Sequence, residues 1–134
     1  MGQPAAKQGD RVTATDIHIV LVPAPPGPPL PTPLPHLFDG VLLTNLSPNV
    51  NIMGRPAATQ GSQATNTPIH VPMAPGVSFQ KPPTNTATVV VGSATVRING
   101  KPAARNGDQA LTCNDPVDVP IGLIVATGTV MIGS

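Results

Sequence analysis

Glutamate, tyrosine and tryptophan are missing from this 134-residue chain, and phenylalanine occurs only twice. Without Glu there is no Glu general base and no zinc-protease helix of the His-Glu-x-x-His kind. Two phenylalanines cannot build a platform on which nucleic-acid bases stack. Charge is scarce as well: seven Lys or Arg against six Asp give a formal net charge of +1. No basic stripe marks the chain for nucleic acid or an anionic membrane, so no nucleic-acid partner is expected. A single cysteine, Cys113, cannot form an internal disulfide. No apolar run approaches the ~18 residues of a membrane helix. The start, Met1-Gly2-Gln3-Pro4-Ala5-Ala6-Lys7, lacks the apolar core of a secretory signal, so synthesis without a leader is expected.

What is present is punctuation and aliphatic carbon. Glycine (13) and proline (19) are abundant, while Leu, Ile, Val and Phe together make about a quarter of the chain, above the roughly 20% floor of disordered sequences. That balance predicts a folded all-β domain spanning residues 1–134, too short for two comfortable domains. Short strands are expected near residues 17–22, 41–46, 49–53, 88–92, 94–98, 121–126 and 128–132, and no stretch has the 3.6-residue periodicity of a helix. The segment Pro23-Ala24-Pro25-Pro26-Gly27-Pro28-Pro29-Leu30-Pro31-Thr32-Pro33-Leu34-Pro35 reads as an extended polyproline crossover over 23–36, because its prolines have no amide to donate to a central strand.

The chain repeats itself. One heptapeptide recurs as Pro4-Ala5-Ala6-Lys7-Gln8-Gly9-Asp10, Pro56-Ala57-Ala58-Thr59-Gln60-Gly61-Ser62 and Pro102-Ala103-Ala104-Arg105-Asn106-Gly107-Asp108, spaced roughly fifty residues apart. The repeats lie near 1–22, 49–73 and 95–120. Upstream of the second and third stand Val50-Asn51-Ile52-Met53-Gly54-Arg55 and Val96-Arg97-Ile98-Asn99-Gly100-Lys101, a short strand and a turn. Val130-Met131-Ile132-Gly133 looks like the same strand, and it is expected to complete the first copy and close three similar sectors around one core. Asp10 and Asp108 follow the repeat glycines and are expected to hydrogen-bond backbone amides in turns. The basic Lys7, Arg55, Lys101 and Arg105 are expected to stabilise these turns or a rim around them.

The good nitrogen and sulfur ligands of the chain are His18, His36, His70 and Cys113. Three imidazoles and one thiolate suffice for a closed tetrahedral zinc site. Their spacing is unlike a zinc finger, but His18 and His70 stand at the same offset from their repeat glycines, and Cys113 lies close to the equivalent place in the third copy, held by Asp118. Closure of three sectors would bring these places together, with His36 delivered by the proline arm. A small chain with few aromatics has use for such a staple, since structural zinc contributes ~10–16 kcal/mol to folding in finger peptides.

The third copy, Asn99-Gly100-Lys101-Pro102-Ala103-Ala104-Arg105-Asn106-Gly107-Asp108, resembles the PAAR-repeat family, and Pro35-His36-Leu37-Phe38, Asn66-Thr67-Pro68-Ile69-His70 and Thr112-Cys113-Asn114-Asp115-Pro116 are similar to its longer PAAR-like subgroup. Only the third copy carries the full Pro-Ala-Ala-Arg tetrapeptide; the first ends in Lys7 and the second in Thr59. The resemblance implies a conical, pseudo-threefold tip, with one structural zinc near its apex on His18, His36, His70 and Cys113. It implies one such chain capping the trimeric β-helical spike of a contractile injection machine, either a type VI secretion system or a phage-tail-like particle. The strands around 50–53, 96–99 and 129–132 would continue the three spike chains. It also implies a non-enzymatic role, transient contact with a target membrane, effector cargo carried non-covalently, and assembly into the particle after synthesis in a bacterial cytoplasm.

Two other classes fit parts of the sequence. A small zinc hydrolase would need an open coordination position, with Asp118 replacing one ligand. A proline-rich adaptor would offer Pro28-Pro29-Leu30-Pro31 to an aromatic groove.

Overall fold

A computed structural model describes residues 2–133. The described chain holds thirteen strands and no helix: β1 (Gln3–Pro4), β2 (Arg11–Val22), β3 (Leu30–Thr44), β4 (Asn51–Ile52), β5 (Arg55–Pro56), β6 (Gln63–Asn66), β7 (Ser78–Phe79), β8 (Thr86–Val89), β9 (Arg97–Ile98), β10 (Lys101–Pro102), β11 (Gln109–Thr112), β12 (Val119–Val125) and β13 (Met131–Ile132). The all-β reading holds, and so does the closing strand: β13 pairs antiparallel with β1, Gln3 opposite Ile132. That pair matches the hairpins β4–β5 and β9–β10, in which Ile52 faces Arg55 and Ile98 faces Lys101.

The three Pro-Ala-Ala segments meet in a ring. Ala6 N–H donates to the Ala104 carbonyl at 2.9 Å, Ala104 to Ala58 at 3.0 Å, and Ala58 back to Ala6 at 3.0 Å. A second cycle runs from Gln8 to Pro56 (2.9 Å), Gln60 to Pro102 (2.9 Å) and Asn106 to Pro4 (2.8 Å). Three backbones this close leave room for methyl groups and little else, which accounts for alanine: all six ring alanines are buried. Ile52, Ile98 and Ile132 pack with Ala5, Ala57 and Ala103 on one side of the ring.

Past the ring each repeat turns in the same way. The amide N–H groups of Lys7, Thr59 and Arg105 donate to the side-chain oxygens of Asp10 (3.0 Å), Ser62 (2.9 Å) and Asp108 (2.8 Å). Gly9, Gly61 and Gly107 take φ of 92°, 96° and 86°, a region closed to most residues with a Cβ. The expected turn role of Asp10 and Asp108 is therefore observed, and each also binds a neighbouring cation: Lys7 Nζ lies 3.2 Å from Asp10 and Arg105 2.8 Å from Asp108.

Each turn leads into an antiparallel pair: β2 with β3, β6 with β8, β11 with β12. Pairings β3–β6, β8–β11 and β12–β2 join the sectors into a small closed barrel. Inward-facing Val12, Phe38, Leu42, Ala64, Ala87, Val89, Ala110 and Ile124 fill it. The β2–β3 pair is much the longest, continuing to Val22 opposite Leu30.

That length corrects the polyproline expectation. Only residues 23–29 connect the strands; Leu30–Pro35 belong to β3, with Pro31, Pro33 and Pro35 opposite Leu21, Ile19 and Ile17. The three prolines occupy alternate positions, so their nitrogens all face the same way. β6 joins β3 only from Gly40 onward, so that side has no ladder for a missing amide to break. The strand also keeps a period of two, with Thr32, Leu34, His36, Phe38, Gly40 and Leu42 on the less exposed face. Leu30 and Pro31 are thus tied into a sheet rather than offered as a free adaptor ligand.

Candidate metal centre

At the end of the barrel away from the alanine ring, polar side chains from all three sectors converge. β2 brings Asp16 and His18, two residues apart and so on one face of the strand, both buried. β3 places His36 opposite Asp16. His70 comes from the loop after β6, its N–H donating to Asn85 Oδ1 at 2.8 Å. Cys113 follows β11, and its neighbours clamp that strand end to β2: Ile17 N–H donates to Asn114 Oδ1 at 2.7 Å and Ile19 N–H to Asp115 Oδ2 at 2.9 Å.

Donor atoms of Asp16, His18, His70 and Cys113 all lie within 4.8 Å of one another. Three of the four residues expected from the sequence are therefore gathered in one buried group, and the fourth member is an acid, Asp16. His36 stands alongside, its ring centroid 5.4 Å from His18 and 5.6 Å from His70. Its nitrogens are committed to backbone: Nε2 accepts the Met73 N–H at 3.1 Å, which leaves Nδ1 to donate to the Leu34 carbonyl at 2.9 Å. Asp118, the alternative acidic ligand, is exposed and outside the group. The signal for Asp16 was its alternation with His18 on one strand, which places both on the same face.

The electrostatics of the group are unusual. Asp16 is fully buried; Oδ1 accepts from Thr112 Oγ1 (2.7 Å) and Asn114 Nδ2 (3.2 Å), while Oδ2 faces His70 Nε2 (3.1 Å) and Cys113 Sγ (3.5 Å). His18, 1% exposed, has no hydrogen-bond partner at either ring nitrogen; its nearest carboxylate is Asp115 Oδ2, 3.5 Å from Nδ1. Burial, then the nearby His70, lowers the affinity of His18 for a proton, and burial lowers that of His36. Burial and the Asp16 carboxylate push the Cys113 thiol up to about 11. An imidazole with two idle nitrogens, a thiol against a carboxylate and little solvent together make a site suited to a divalent cation, which would use the nitrogen, ionise the thiol and balance the carboxylate. A cavity of about 350 Å³ between His36, Ile69, His70 and Met73 opens beside it.

A closed, threefold-repeated barrel of short strands thus carries an alanine ring at one end and, at the other, a buried group of N, O and S donors that could hold a metal ion. The chain matches the family model described as PAAR motif over residues 35–117 and 79–134, most of its length, and it belongs to that family. No curated protein and no solved structure matches it.

Proposed function

We propose that this chain is the tip of the spike of a contractile injection machine, a structural piece that caps a trimeric β-helical stem and is kept rigid by one bound zinc ion. The observation that carries the reading is the cyclic ring of the three Pro-Ala-Ala segments. One polypeptide there presents three equivalent two-stranded pairs, the hairpins β4–β5 and β9–β10 and the terminal pair β1–β13, around a common axis. A trimeric β-helix ends in three unpaired strand edges, which aggregate unless something pairs with them. Three equivalent short strands on one chain suit such a stem, one to each subunit, through main-chain hydrogen bonds.

Zinc belongs to the same reading. His18, His70 and Cys113 supply the soft and borderline donors that zinc prefers, on three different sectors, so the ion would tie the sectors together at the end opposite the stem. When bound it would supply cohesion rather than chemistry. A tip fixed at both ends would resist deformation as it is driven against a membrane, and its synthesis in the cytoplasm and non-covalent cargo follow from service in such a particle.

The test is assembly. Co-expressed with its cognate spike protein and examined by native mass spectrometry, the chain is expected to ride as one copy on each trimer. Exchanging Asn51, Arg97 and Met131, the exposed residues of β4, β9 and β13, for Pro together should abolish the complex while the tip stays folded. A tip that binds no trimer, or binds three copies per trimer, contradicts the reading.

A further inference from the structure

Resting on the spike-tip reading, we infer that the stem on which this chain sits ends in carboxylates, which meet a rim of cations formed around the alanine ring by Arg55, Arg97 and Lys101. The partner at this end is an acidic protein surface.

The side-chain charges of the chain are sorted along the barrel. Beside the ring, Lys7 and Arg105 are bound to Asp10 and Asp108, and on the barrel wall Arg11 is bound to Asp39 at 2.6 Å. Those three pairs cancel. What remains at the ring end is positive: Arg55 on β5, Arg97 on β9 and Lys101 on β10, all exposed. None of the three meets a carboxylate among the described residues, and Arg97 donates to the nearby Gly100 carbonyl at 3.2 Å. The Arg55 guanidinium leans over Gly9 of the first sector, which has neutral Gln3 and Met131 at the matching places. What remains at the far end is negative: buried Asp16 and Asp115 and exposed Asp118, against Lys81 alone. The formal charge of +1 thus conceals three positive charges at one end and two net negative charges at the other.

Position gives this polarity its meaning, because the three cations stand on the strand pairs that the stem would cover. In water they cost nothing. Beneath a neutral or basic surface they would lose hydration and repel one another without compensation. Carboxylates on the stem remove that cost, draw the two pieces together and reject other partners. The far end, with the opposite sign, is repelled by the same stem, so the polarity also sets which way round the tip docks.

Association kinetics of the full-length tip with its cognate spike trimer test this, recorded at about 50 mM and about 500 mM NaCl, where exposed charges are respectively felt and screened. The wild-type association rate should fall roughly tenfold over that range. A variant carrying Arg55→Gln, Arg97→Gln and Lys101→Gln should associate at the slow rate in both salts. Its melting temperature should match wild type, since no ion pair is lost. Lys81→Gln, at the far end, should associate as wild type does. A folded triple variant as fast as wild type at low salt, or a wild-type rate indifferent to salt, overturns the acidic partner while leaving the tip reading intact, because the complex still forms. A wild-type tip that binds no spike trimer overturns both. Capture of the wild-type tip by phosphatidylserine vesicles and not by the trimer, lost in the triple variant, would assign the rim to a lipid surface and overturn the proposal.

Discussion

The two ends of the barrel follow opposite rules. At the alanine ring the three sectors are interchangeable: the same residue type, the same hydrogen bond and the same turn occur three times. At the far end the repetition is only partial: the first two sectors each supply a histidine at the same offset, His18 and His70, but the first adds Asp16 and the third supplies Cys113 with Thr112 and Asn114 instead. The ring is held by main-chain bonds and methyl packing, which need no particular chemistry. The far end is a buried cluster of polar groups, with an imidazole whose nitrogens have no hydrogen-bond partner and a thiol beside a carboxylate. Repetition builds the scaffold and places two histidines, and departures from repetition add the acid and the thiol. One end is satisfied by its own backbone bonds, and the other gathers donors that could hold a metal ion.

The comparison can be broken at either end. The ring predicts equivalence: Ala6→Leu, Ala58→Leu and Ala104→Leu should each destabilise by about 1–3 kcal/mol through overpacking, by similar amounts, and equally with and without zinc. Urea midpoints that differ widely among the three would remove the claim of equivalence.

The site predicts a reversal of sign instead. In chelator, His18→Leu should leave stability unchanged or raise it, since it removes buried nitrogens whose unmet hydrogen bonds cost about 1–3 kcal/mol. In zinc the same substitution should destabilise, because a ligand is gone. Melting curves in the two conditions that move the same way would mean that His18 does not meet the ion.

Acidity sharpens the contrast further. In the zinc-free protein, burial keeps His18 and His36 below the ordinary histidine value of 6.5. The unfolded chain therefore takes up protons that the native one refuses, and stability falls as pH drops below 6.5. Cys113 acts at the other extreme. Its thiol keeps a proton up to about 11 in the native state against 9.0 ordinarily, so that contribution is present below 9.0 and is lost as pH rises toward 11. Urea midpoints that stay flat across both ranges would contradict the burial described for the site. The smallest effect belongs to a turn: Ser62→Ala, which deprives the Thr59 amide of its acceptor, should cost about 1 kcal/mol regardless of metal.

Much of this was legible in the sequence, because repeats report symmetry directly. The heptapeptides located the ring, and Val130-Met131-Ile132 was readable as the partner of Gln3–Pro4 since it copies the strand before each other repeat. His18, His70 and Cys113 followed from their places in the repeat. The strand through Pro31, Pro33 and Pro35 did not, because whether a proline breaks a ladder depends on which side of the strand is paired, and that is a property of the sheet. The place of His36 was hidden for a related reason: it is drawn to the Met73 amide by the loop that carries His70, a contact no local pattern reveals.

The most direct test of the account is calorimetric. Purified protein should contain one zinc per chain, and stripping it with chelator should lower the melting temperature sharply, with full recovery on adding one equivalent back. A chain that is free of metal as purified and melts at the same temperature with zinc and with chelator would contradict the account at its centre.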